Sequence, residues 1–229
     1  MTGFISSVSE FASTISRFSD HSTLYRGVSK SEYALIPSIG RENFKLLNTL
    51  PESTLQKFEK DLILLFQANS YQHLRHNNLP LLELLAFGQH HGFKTRLLDW
   101  TKSALAALFF AVEKNPNDNG KVFLFKSRSH KYLNSDSVCE IKDLADINQN
   151  SMFIPLNSTP RINVQQGLFM VFDKPNEPYE NDKITYIEIH HKDKPKIQKE
   201  FYLLGINNYT LFPDIDGITK FLNWEKYNN

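Results

Sequence analysis

The chain has 229 residues, 41% of them hydrophobic, and a formal charge of +1, so it can bury a substantial core and exerts no global pull on nucleic acid or anionic membrane. Cys139 is the single cysteine, which excludes an intrachain disulfide and a zinc site built from several thiolates and suits a reducing, cytoplasmic setting. No segment reaches the roughly 20 apolar residues of a membrane span, and MTGFISSVSEFASTISRF lacks the basic start and apolar run of a secretion signal, so neither membrane insertion nor secretion is expected.

No internal repeat or low-complexity block interrupts the sequence, which predicts one domain over residues 1–229. A first helix is expected over Ser9–Phe18, then a strand over Thr23–Gly27 that puts Arg26 at a strand end. A long helix follows Pro51, with Ser53 as its cap and Gln56 completing a capping box. Its apolar face carries Leu55, Phe58, Leu62, Leu65 and Phe66, and its end is expected near His76. Pro80 suits the first turn of a helix bearing Leu81, Leu82, Leu84, Leu85 and Phe87, stopped by Gly92. Thr95–Trp100 reads as a strand. Ser103 can then cap a helix Ala104–Glu113 whose apolar residues run nearly all the way round, the pattern of a helix buried between other elements.

Farther on, Lys121–Phe125, Gly167–Phe172 and Lys183–Ile189 are rich in β-branched and aromatic residues and should be strands of one sheet. Two short helices close the chain, Ile197–Leu204 ending at Gly205 and Asp214–Trp224 introduced by Pro213. Helices cluster early and strands late, so the expected class is α+β rather than a regularly alternating parallel sheet.

Polar chemistry gathers in Gly88–Ala111, where one helix ends, a strand leads to Asp99 and Trp100, and the buried helix begins. The N-terminus of that helix, at Thr101–Ser103, could receive a phosphate or carboxylate on its unpaired N–H groups, with Lys94 and Arg96 assisting. Alternatively Thr101 or Ser103 merely caps the helix, Asp99 pairs with Arg96 or satisfies backbone donors, and Trp100 packs in the core. His90 and His91 are adjacent, so their side chains diverge by about 100° on a helix and do not ligate one metal together. One of them could act as a general base or hold a ligand hydroxyl, or simply bond the last carbonyls of its helix. Gly-rich phosphate loops, a Gly-x-Ser-x-Gly elbow and His-Glu-x-x-His are all absent from the sequence, which leaves the familiar nucleotide-triphosphate and hydrolase machineries unsupported.

Four blocks, Tyr25-Arg26-Gly27, Gly88 to Thr101 (GQHHGFKTRLLDWT), Arg161 to Phe169 (RINVQQGLF) and Leu211 to Asp214 (LFPD), resemble the FRG-domain family, with a core of about residues 20–222. The order of motifs is also similar to that of ADP-ribosyltransferases, which implies a split, mixed β-sheet flanked by helices and NAD as cofactor. In that likeness Tyr25, Arg26 and Gly27 form the first motif, with Arg26 orienting NAD through its phosphates. Gly27 would let a ligand approach the backbone. Asp99, Trp100 and Thr101 form the second motif. Gln165 and Gln166 stand at the third, where the family carries a glutamate, so either Asp99 or another carboxylate stabilises the oxocarbenium-like transition state or the pocket binds a nucleotide without the usual transfer. The catalytic candidates are therefore Arg26, His91, Asp99, Gln165 and Gln166. The cofactor-binding candidates are Tyr25, Arg26, Gly27, His90, Thr95, Arg96, Trp100 and Thr101, with no metal. Two functions follow: an NAD-using transferase or glycohydrolase with a protein or nucleic-acid acceptor, or a non-catalytic module that recognises a nucleotide, nucleic acid or protein. Lys94, Arg96, Arg161 and Trp100 suit the second as well, since basic side chains with an aromatic hold phosphate and stack a base.

Overall fold

The computed structural model describes residues 2–41, 52–73, 79–156 and 159–228. Strand β1 is Thr2–Ile5 and helix α1 Val8–Phe18, whose first turn is held by the Ser7 hydroxyl accepting from the Glu10 N–H. Strand β2 (Thr23–Val28) and a single turn, α2 (Ser38–Arg41), precede α3 (Glu52–Ser70) and α4 (Leu81–His90). Strand β3 (Leu97–Thr101) leads to α5 (Ala104–Val112), β4 (Gly120–Lys126) and α6 (Ser135–Glu140). Strand β5 (Ser151–Phe153), α7 (Pro160–Val164), β6 (Gly167–Val171) and β7 (Ile184–Ile189) follow, then α8 (Lys194–Leu203), α9 (Asn208–Leu211) and α10 (Ile215–Asn228).

All seven strands form one mixed sheet in the order β1-β7-β4-β2-β3-β6-β5, antiparallel except where β1 joins β7. The α+β class and the common sheet expected from the sequence are thus observed. Strand β2 pairs with β4 along its whole length, from Thr23↔Lys126 to Val28↔Lys121, and β3 pairs with β6 from Leu97↔Val171 to Thr101↔Gly167. Between β2 and β3 the register holds only at Tyr25↔Thr101. The sheet is therefore continuous in order but parted along most of that seam.

Helix α5 lies across β2 and β4 and is the centre of one core, its Ala106, Ala107, Leu108, Phe109, Ala111 and Val112 all buried beside Phe11, Ile187, Ile197 and Phe201. Ser103 caps it by accepting from the Ala106 N–H at 3.2 Å, as its sequence predicts. A second core gathers α3 and α4 against β3, β5 and β6, and a third, with Trp100, Phe123 and Phe125, lines the opposite face of the sheet.

Helix α3 departs from its hydrophobic pattern. Its buried residues include Leu55, Glu59, Ile63 and Ser70, while Phe58 and Leu65 are exposed, because Glu59 turns inward to an ion pair. The helix begins at Glu52, so Ser53 lies in its first turn rather than at its cap; it ends at Ser70 before a 3-10 turn, and the expected end at His76 falls outside the described residues. Pro80 occupies the cap of α4 rather than its first turn, and Gly92 closes that helix with a φ of 87°.

Candidate functional site

A cleft of about 380 Å³ opens where β2 and β3 part, within the range of about 300–1,000 Å³ typical of small-molecule sites. Its lining draws on separated parts of the sequence: Arg26 from β2, Gln89 and His90 from the end of α4, Asp99 from β3, and Arg161 and Gln165 from α7 and its cap. Arg26, Arg41, Lys114 and Arg161 supply cationic side chains against the carboxylates of Asp99 and Glu113, so the lining favours an anionic ligand.

Arg26 is the pivot. Its Nη1 donates to the main-chain oxygen of Asp99 at 2.6 Å and lies 3.4 Å from Asp99 Oδ2, so a side chain bridges the strands where the ladder has stopped. Only 11% of the Arg26 side chain is exposed. Burial pushes its guanidinium down to about 10, against the opposing pull of Asp99 and with a further push from Arg41, and it remains charged at neutral pH. Asp99 is held from the other side as well, because Gln89 Nε2 donates to its Oδ1 at 2.7 Å. The Thr95 hydroxyl donates to Gln89 Oε1 and accepts from the Leu97 N–H at 3.0 Å, which fixes the direction of the Gln89 amide. The result is a chain from Thr95 through Gln89 and Asp99 to Arg26.

Several expected site residues take other roles. Arg96 is buried away from the cleft, its Nε and Nη2 donating to the two Glu59 oxygens at 2.9 and 2.5 Å, so the alternative of an Arg96–Asp99 pair is also corrected. Thr95 is buried and acts through Gln89 rather than on a ligand. Thr101 lines the cleft, but its hydroxyl donates to the Gln165 carbonyl at 2.5 Å and accepts from the Ser103 N–H at 2.8 Å, and with Ser103 accepting from the Ala106 N–H two donors of this helix N-terminus are already engaged. Gly27 lines the cleft, yet its lack of a side chain is needed elsewhere: a Cβ there would lie 1.8 Å from the Ala107 carbonyl oxygen of α5. Tyr25 and Trp100 are buried core residues that also line the cleft floor, Trp100 packing on Phe125 at 5.5 Å between centroids rather than offering a free stacking face.

His90 lines the cleft, and burial, then the neighbouring His91 and Arg161, hold its pKa below the ordinary histidine value while Asp214 opposes them. His91 instead ends α4 on the exposed side, 4.8 Å from the Phe87 ring, and does not line the cleft. Gln165 lines it but donates its amide to the Leu211 carbonyl at 2.9 Å, tying α7 to α9. Gln166 is exposed, in a left-handed turn of φ 50°, and outside the lining. Lys94 likewise lies outside it, whereas Arg161 sits in it with its guanidinium 4.2 Å from the Phe212 ring centroid.

Sequence reasoning missed Gln89 and Arg41. Gln89 stands inside the GQHHG block, and its signal was a polar residue at a helix end one step before the histidines. It also missed Lys194, buried in α8, whose Nζ donates to the carbonyls of Ser29, Lys114 and Asn115 at 2.8, 3.0 and 3.0 Å and so fixes two residues of the cleft wall.

Taken together, these features define an α+β protein with a cationic cleft in a parted sheet. Residues 21–120 match the family model of the FRG domain. The match takes in the Tyr-Arg-Gly and GQHHG…LLDWT blocks, while Arg161–Phe169 and Leu211–Asp214 lie beyond it. No curated protein and no solved structure matches the chain.

Proposed function

We propose that the cleft binds a nucleotide, with NAD as the leading candidate, and that the protein acts as an ADP-ribosyltransferase or NAD glycohydrolase. The supporting observation is that Arg26, Asp99 and Gln165, from three separated motifs, line one cleft together with Arg161. The guanidinium groups suit phosphate oxygens, for which arginine offers several donors in a fixed geometry. Breaking the nicotinamide–ribose bond builds positive charge on the ribose, which a carboxylate stabilises. We assign that role to Asp99, since Gln165 and Gln166 are both neutral and Gln166 lies outside the lining. The acceptor is a protein or nucleic-acid group in the transferase, and water in the glycohydrolase.

One observation favours a second reading, a non-catalytic nucleotide-, nucleic-acid- or protein-binding module. Both Asp99 oxygens already face donors, Arg26 and Gln89, so its charge is largely compensated. The deciding experiment incubates purified protein with NAD and cell extract, follows nicotinamide release and label transfer, and records melting shifts with NAD and ADP-ribose. Release that Asp99→Asn lowers more than it lowers affinity supports the enzyme. A melting shift without release supports the module, and steep salt dependence of RNA or DNA binding would make nucleic acid its ligand. Neither release nor shift would end the nucleotide reading.

A further inference from the structure

We propose that the seam between β2 and β3 is a phosphate subsite in which Arg26 Nε–H and the Trp100 indole N–H both donate to phosphoryl oxygen, so that Trp100 recognises ligand by its N–H and not by its ring face. This deepens the nucleotide reading of the cleft and rests on it.

The register supplies the juxtaposition. With Tyr25 paired to Thr101 in an antiparallel ladder, Arg26 and Trp100 are the next facing residues, and facing residues project to the same side of the sheet. Their outer neighbours on that side are Phe123 on β4 and Leu168 on β6, both buried and apolar. Arg26 Nε and Trp100 Nε1 are each shielded from solvent and have no hydrogen-bond partner among the described residues. Both residues line the cleft. Buried donors are rarely left unpaired, and low surrounding dielectric strengthens any bond that does form.

Two donors with no acceptor between them call for a ligand atom that accepts and need not donate. The cationic excess of the lining selects an anion, and a phosphoryl group offers several oxygens to donors approaching from different directions. Arg41, Lys114 and Arg161 lie along the same lining, so the ligand class is a pyrophosphate-bearing nucleotide rather than a nucleoside. The Trp100 ring itself is closed to stacking because it is 2% exposed and packed on Phe125.

The test uses the ¹⁵N-labelled full chain carrying Trp224→Phe, which leaves Trp100 as the source of the indole N–H resonance. Inorganic pyrophosphate and NAD should shift that resonance and the Arg26 Nε–H resonance saturably, and adenosine should shift neither. Trp100→Phe should weaken pyrophosphate binding by about tenfold or more, the loss expected for one bond to a charged acceptor. Pyrophosphate binding that moves neither resonance, or that Trp100→Phe leaves at its original affinity, overturns the subsite. Should Trp100→Phe not fold, the two resonances decide alone. If NAD binds while both resonances stay still, the subsite fails and the nucleotide cleft stands; if neither NAD nor pyrophosphate binds, both fail.

Discussion

Arg26→Met separates a binding group from a strut. The substitution removes the guanidinium and keeps a flexible side chain in the seam. Burial holds the Arg26 pKa at about 10, well below the ordinary arginine value, which at 1.36 kcal/mol per unit is about 3 kcal/mol against keeping the charge there. Met relieves that cost. It also loses the charged hydrogen bond to the Asp99 carbonyl, worth about 1.5–3 kcal/mol, while the pairing with the Asp99 carboxylate, 61% exposed, adds little. The two effects nearly cancel, so stability should stay within about 1.5 kcal/mol of wild type, or about 6 °C in Tm for a chain of this size. Because the folded pKa lies below the unfolded one, the burial cost is present in full below about pH 10 and is relieved only as pH rises through that value. The difference between the two melting curves should therefore be flat from about pH 6 to 9. Phosphate-bearing ligands should lose about tenfold or more in affinity. The assay is thermal melting with and without NAD and pyrophosphate. A fall of more than about 10 °C with ligand shifts intact would refute the reasoning and make Arg26 a structural bridge.

Glu59→Gln should behave oppositely, because it leaves the buried Arg96 charge without its partner: stability should fall by about 3–5 kcal/mol in denaturant titration while ligand affinity of the folded fraction is unchanged. Gly27→Ala drives a Cβ into the α5 backbone, and an overpacking cost of about 1–3 kcal/mol or more should appear as a lowered Tm; a wild-type Tm would show that the helix can retreat. The lowered pKa of His90, due first to burial and then to His91 and Arg161, means that the unfolded chain takes up a proton which the folded chain resists. Wild type should therefore lose stability relative to His90→Gln as pH falls through the ordinary histidine range from 7 to 5, and parallel melting curves for the two across that range would contradict this.

What the sequence made legible follows from how local each signal is. Helix α5 was readable because its cap, Ser103, and its all-round apolar surface are adjacent in the chain, and β4, β6 and β7 because their aromatic and β-branched runs outlast a turn. Strands β1 and β5 were missed: four residues containing a glycine, and three residues, give too short a run for alternation to register. The buried face of α3 was misread for a different reason. Glu59 belongs to the core only because Arg96 comes to it from 37 positions away, and hydrophobic periodicity carries no sign of a buried ion pair. The site divides along the same line. The Arg26, Asp99 and Gln165 blocks do line one cleft, but single-residue offsets decided which neighbours entered it, so His90 lines it and His91 does not, and Gln165 lines it and Gln166 does not.

The parted seam and the polar chain that lines it answer one physical problem. Strands that separate leave N–H and C=O groups without ladder partners, and such groups must find others or remain costly. Along this seam side chains take over part of that duty. Arg26 donates to the Asp99 carbonyl across the seam, and Gln89, steadied by Thr95, holds the Asp99 carboxylate beside it. The Arg26 side chain reaches across the seam to that carbonyl, so the group that compensates for a missing ladder bond also lines the opening. Arg26 is bound on one side only, with Nη1 engaged and Nε free of protein partners among the described residues. A ligand that supplies acceptor oxygens there completes a network that the sheet itself leaves incomplete, which is why binding energy and fold stability meet at this residue.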